Sequence, residues 1–281
     1  MELAELVVQV DTIREDHPGC GVEKMYDTLC PNLMGRDKFC EIFMGLGYGI
    51  KRIRNYHRTT IPTHIKYPNL IEGMTVFRPY QVIQSDITYF ELKGKHFYIV
   101  FIIDVYTKEI LGHSTSNNMR TEANIKAMRM ALKKMKYSPL DLIHHSDRGG
   151  QYTSNNYLKL LNSNSIYVSM GLKAQDNAYA ERINGTIKNE YLNRWMIKDE
   201  EDLVKKVNKA VKHYNEKRKH MAFENEFSPI EFKNTLLNLD TQKRPMVIIY
   251  AEENYKIKAT SSRRDFDPKK EPQAHNCPIG F

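Results

Sequence analysis

The sequence predicts an α/β protein: a mixed sheet flanked by helices, preceded by a small all-α domain. Three observations predict it. Residues 3–46 carry helical periodicity broken by Gly and Pro turns. Residues 82–114 hold three runs rich in Val, Ile, Phe, Tyr and Thr. Beyond residue 120, helical and strand-like segments alternate, as they do where helices cover the faces of a sheet.

At the N-terminus, Leu6, Val7, Val10 and Ile13 form one apolar stripe. His17-Pro18-Gly19-Cys20-Gly21 ends it. A second short helix is expected from Val22 to Leu29. A third runs from Arg36 to Met44, after Pro31 and Gly35, with Gly45 and Gly47 near its end. Three short helices with tight turns and a polar third one suit a helix-turn-helix-like module, assigned to residues 1–50. Arg36 and Lys38 on the third helix are candidate DNA contacts. A helical bundle used only for protein contacts is the plainer alternative.

Residues 51–75 read as a basic linker. Lys51, Arg52 and Arg54 meet no acidic neighbour, and Pro62 and Pro68 forbid a continuous helix. Such a stretch can track a phosphate backbone or serve as a solvated connector.

The strands are expected at 82–91, 96–103 and 109–114, with Lys93-Gly94-Lys95 turning the first into the second. A helix over 121–135 presents Ala123, Ala127, Met128, Ala131 and Leu132 as its apolar face. A short strand (140–144), a helix (155–163), a short strand (166–169) and a long helix (176–195) follow. A further amphipathic helix spans 202–219. Residues 76–235 are therefore assigned to one core, and 236–281 to a flexible tail with one possible strand at 246–250.

The chain of 281 residues carries 42 Lys+Arg against 34 Asp+Glu, a formal charge of +8. That excess suits a polyanionic partner. No apolar run is long enough to span a bilayer, so no membrane role is expected. Four cysteines in a chain this long do not make a disulfide framework, which points to a reducing compartment. Paired His and Cys spacing for zinc is absent.

Three carboxylates stand out by context. Asp86 lies in the middle of the first strand of the core. Asp147 follows the short strand, where Gly149-Gly150 can expose it. Glu181 opens the long helix, and Lys188 lies seven residues on, near the same face. Three acids gathered by a fold can hold hard divalent cations through oxygen. Arg148, beside Asp147, can pair with a carboxylate or a phosphate.

Together the stretches Ser85-Asp86-Ile87-Thr88-Tyr89, His145-Ser146-Asp147-Arg148-Gly149-Gly150-Gln151-Tyr152, Asp176-Asn177-Ala178-Tyr179-Ala180-Glu181 and Lys188 resemble the retroviral-integrase-like DDE superfamily. More closely, the chain is similar to the second-reading-frame transposases of the insertion-sequence-three family. His213-Tyr214-Asn215-Glu216-Lys217-Arg218-Lys219-His220 and Ser228-Pro229-Ile230-Glu231-Phe232 match that family's ending, and the His17–Gly21 turn its beginning. The resemblance covers about residues 5–235.

It implies an RNase H-like core, metal-dependent DNA strand cleavage and transfer of a 3′ hydroxyl onto target DNA. It implies Asp86, Asp147 and Glu181 as ligands of two Mg²⁺ or Mn²⁺ ions, and Lys188 as a DNA contact near the element end. Terminal-repeat and target DNA, a homo-oligomer on DNA and an upstream-frame product are the implied partners, in a bacterial cytoplasm at the nucleoid. The 33 residues between Asp147 and Glu181 are slightly fewer than the family's pattern, with Glu190 as the fallback acid. A nuclease that only hydrolyses and a non-catalytic DNA-binding relic are the competing readings.

Overall fold

The computed structural model describes residues 3–50, 67–136, 140–171 and 173–249. Lys51, Arg52 and Arg54, most of the linker and residues 250–281 lie outside the described residues.

Helices α1 (Leu3–Asp16), α2 (Val22–Leu29) and α3 (Arg36–Gly45) come first. They bury their own cluster of Leu6, Val10, Cys20, Val22, Met25, Phe39 and Phe43. Phe39 and Phe43 stack at 4.3 Å between ring centres. Cys20 is buried in this small core, and burial lifts its thiol to about 11.

The core is a five-stranded sheet in the order β4-β3-β2-β5-β6. Its strands are β2 (Val82–Leu92), β3 (Lys95–Asp104), β4 (Ile110–Ser116), β5 (Ile143–Ser146) and β6 (Tyr167–Met170). β2, β3 and β4 form an antiparallel meander, and β5 and β6 run parallel to β2. Lys93 and Gly94 both take positive φ, 51° and 74°, which is the backbone a two-residue hairpin of primed type requires. One sheet face packs on α4 (Thr121–Met135) and α5 (Asn155–Ser163), around Ile83, Val100, Ile102, Ala127 and Leu161. The other packs on α6 (Ala178–Thr186) and α7 (Glu200–Glu216), around Ile99, Phe101, Ile103, Ile183 and Val207. Helices on both faces of this mixed sheet give the RNase H-like arrangement that the resemblance implies.

Two differences from the sequence expectation matter. The long helix expected over 176–195 is three pieces. A 3₁₀ turn (Ala174–Asn177) leads into α6, and a π-helical turn (Ile187–Leu192) follows. The wider i→i+5 pattern lets Tyr191 and Leu192, four and five residues after Ile187, both face inward with it.

Second, the chain is packed well past residue 235. After α8 (Pro229–Thr235), two 3₁₀ turns lead to β7 (Val247–Ile248). β7 pairs antiparallel with β1 (Thr75–Val76), joining the end of the expected linker to the start of the expected tail. Leu236 and Ile249 are buried beside Ile71 and Val76. Apolar side chains in a mostly polar stretch thus find a face that sequence pattern alone does not show.

Candidate active site

The parallel register of β2 and β5 pairs Val82 with Ile143, Ile83 with His144 and Gln84 with His145. Continued two residues, that register sets Asp86 beside Asp147. β5 stops at Ser146, so Asp147 lies just past its carboxyl end while Asp86 sits mid-way along β2, where the ladder between the two strands opens. Gly149 N–H donates to Asp147 Oδ1 at 3.0 Å, closing the turn that carries it.

α6 is fixed on β2 by side chains of two facing rows. Asn177 donates to the Ser85 carbonyl at 3.0 Å. Gln84 donates to the Asp176 carbonyl at 3.2 Å and accepts from Ala180 N–H at 3.3 Å. Asn184 donates Nδ2–H to Asp86 Oδ2 at 2.7 Å. Asn177, Ala180 and Asn184 share one helical face, and Glu181 stands next to that face, exposed. In the sequence Asn177 appears only as part of the Asp176–Glu181 motif, and neither it nor Gln84 was assigned a positioning role; the helical spacing of Asn177 and Asn184 around Glu181 was the available signal.

The electrostatics tie the acids together. Burial in the cleft, then the charges of Asp147 and Glu181, raise the Asp86 carboxyl to about 7. Burial and Asp147 also raise Glu181. Among the described residues no three His, Cys, Asp or Glu side chains stand already gathered at metal-holding spacing. Three oxygen donors that oppose one another's ionisation nonetheless make a donor set that suits a hard divalent cation, because such an ion favours all three charges.

His144 and His145 sit behind the acids. His144 Nε2 lies 2.7 Å from Ser85 Oγ, and His145 Nδ1 2.8 Å from Ser169 Oγ. Burial lowers them to about 3 and about 4, so both are neutral struts between strands. Tyr152 is wholly buried near both aspartates, which help hold its hydroxyl protonated.

Lys188 is the second residue of the π-helical turn, its Nζ 4.5 Å from the centre of the Tyr89 ring. It borders a groove of about 400 Å³ also lined by Phe90, Asn193 and Trp195. Arg148 is half-buried beside Asp147. Arg36 and Lys38 are exposed on α3, in the N-terminal module and apart from the carboxylates; Arg36 pairs with Asp37 at 3.0 Å. Glu190, the fallback acid, is turned away from Asp86 and bound by Arg218 and His17.

The chain is similar to several known proteins. Two models of the integrase core domain match, over residues 77–175 and 165–226. The insertion element IS600 31 kDa protein of Shigella sonnei is 31% identical over 221 residues, covering 76% of this chain and 80% of that protein. The transposase for IS904 of Lactococcus lactis is 30% identical over 194 residues, covering 68% and 76%. The transposase for IS629 of Shigella sonnei is 34% identical over 143 residues, covering 50% and 48%. Among solved structures, the HTLV-2 integrase catalytic core with magnesium matches at 20% identity and a TM-score of 0.42, over 54% of this chain and 91% of that one.

The class is that of integrase-type polynucleotidyl transferases, enzymes that cut and rejoin DNA strands. Within it, this chain belongs to the insertion-sequence-three family of DDE transposases. Among the described residues no helix is long and apolar enough to cross a membrane.

Proposed function

We propose that Asp86, Asp147 and Glu181 are the catalytic carboxylates of this transposase. The observation that carries the proposal is the β2–β5 register, which sets Asp86 beside Asp147 with α6 fastened across them. The three would hold two hard cations, Mg²⁺ or Mn²⁺, which when bound activate a hydroxyl and stabilise a leaving oxygen.

The protein's own groups do the rest. Asn184 keeps one Asp86 oxygen oriented. Tyr152 and the neutral His144 form a rigid, uncharged backing. Glu181 reaches in from solvent, so it can follow the DNA as it enters. Lys188 and Arg148 neutralise phosphate and fix the scissile bond without reading sequence. Arg36 and Lys38 contact DNA from the helical module, and Lys51, Arg52 and Arg54 from the linker.

The DNA partners are the element's terminal repeats and a target duplex. Joining two ends to one target needs two such sites, so the working form is an oligomer on DNA. An upstream-frame helix-turn-helix product would add end recognition.

The test is an oligonucleotide cleavage and strand-transfer assay with Mg²⁺ or Mn²⁺ on DNA ends flanking the gene. Joined products should appear with the wild type and vanish with Asp86→Asn and Asp147→Asn, while DNA binding persists. Cleavage without joining would make the protein a nuclease. Loss of binding together with chemistry would give the aspartates a structural role.

A further inference from the structure

The helical module meets the core largely through one turn. His17 is buried and stacks on Tyr191, ring centres 4.8 Å apart and planes 7° apart. Its Nε2–H donates to Glu190 Oε2 at 2.6 Å. Gly19 N–H donates to the Glu190 carbonyl at 2.7 Å. Lys24 of α2 brings its ammonium within 3.6 Å of Glu190 Oε1. Arg218, just after α7, holds the same carboxylate with two hydrogen bonds of 2.7 Å. Asp16 and Lys209 add an ion pair at the rim, 2.8 Å long.

Gly19 shows how close the approach is. Its φ is not positive, so the backbone alone would accept alanine. A Cβ there would nevertheless collide with Glu190 Cα and crowd its carbonyl. Glycine is needed at this position by the docking rather than by the turn. Glu190 itself lies in the π-helical turn, two residues after Lys188 and nine after Glu181.

We propose that the His17–Gly21 turn is a latch that sets the register between DNA held by the helical module and the catalytic carboxylates, with Glu190 as its positioning residue. This rests on the function proposed above. Arg218 belongs to the core, so the Glu190 carboxylate keeps its main partner when the module leaves. Opening the latch therefore spares each unit and loses only their fixed relation.

The experiment uses the whole 281-residue chain carrying Gly19→Ala or His17→Ala, the second adding no atoms. Trp195, the chain's single tryptophan, lies 5.6 Å from Tyr191 and reports the latch through its fluorescence and acrylamide quenching. End-labelled element DNA reports the cut at single-nucleotide resolution. The expected result is altered Trp195 quenching, a roughly 10²-fold loss of cutting at the end phosphate, and new cuts at neighbouring phosphates. A merely weakened protein would cut less at the same place. A single unchanged cut despite an opened latch overturns the proposal. Unchanged quenching in both variants overturns the contact itself. A wild type that cuts nothing overturns the function on which the register depends, while Trp195 still reads the docking.

Discussion

Asn184 donates a 2.7 Å hydrogen bond to Asp86 and so fastens the helix of Glu181 to the strand of Asp86. Two candidate ligands from distant parts of the chain are thus set by a residue that is itself no ligand. Positioning groups around metal-binding carboxylates matter almost as much as the carboxylates. Asn184→Ala should lower strand-cleavage activity about 10–100-fold, with secondary structure unchanged by circular dichroism. Rates within a factor of two of wild type would show that Asp86 holds its orientation without this bond.

Lys188 carries its charge in a groove with Tyr89 and Trp195 rather than in an ion pair among the described residues. A lysine that neutralises one phosphate contributes about one unit to the salt slope of binding. Lys188→Ala should weaken binding alike for all DNA sequences and reduce that slope by about 1. A changed sequence preference with an unchanged slope would argue against a phosphate contact.

Glu190 makes stability depend on pH. Burial alone would raise its carboxyl, but the hydrogen bonds from Arg218 and His17 outweigh burial and hold it far below the usual carboxylate range. Its contribution is present above the unfolded value near 4.5 and is lost as pH falls toward the lowered folded value. Melting from pH 7 down to pH 3 should therefore show a loss in the wild type that is smaller in Glu190→Gln. Arg218→Ala at pH 7 removes the partner of a mostly buried acid and should cost about 3–5 kcal/mol by urea unfolding.

Gly112 on β4 lies against α4 so closely that a Cβ would run into the Ala127 carbonyl and approach Ala131 N. The neighbours are helix backbone, which cannot swing aside. Gly112→Ala should destabilise the core by about 1–3 kcal/mol, read as a lower urea midpoint with an unchanged slope. No change would mean that α4 slides on the sheet at little cost.

Much of this molecule was legible in one dimension because its signals are local. Strand composition marked β2 to β4, the Lys93-Gly94 pair marked their hairpin, and the apolar face at 121–135 marked α4 to the residue. The local context of the three acids was also readable: Asp86 within a strand, Asp147 just past one and Glu181 in the first turn of a helix. What stayed hidden depends on pairing across long separations. The β1–β7 ladder joins Thr75 to Ile248 and Val76 to Val247, partners that bracket the whole core. The π-helical turn exists because Ile187, Tyr191 and Leu192 must all face one interior, a demand set by α7 and β3 rather than by the helix sequence. Glu190 looked like a spare ligand by spacing alone. Only the folded chain brings Arg218 and His17 to it, because a buried charge goes where its partners are. Sequence determined the elements and the chemistry they can carry. Tertiary structure decided which acids face one another and which is neutralised, since those are matters of distance and burial.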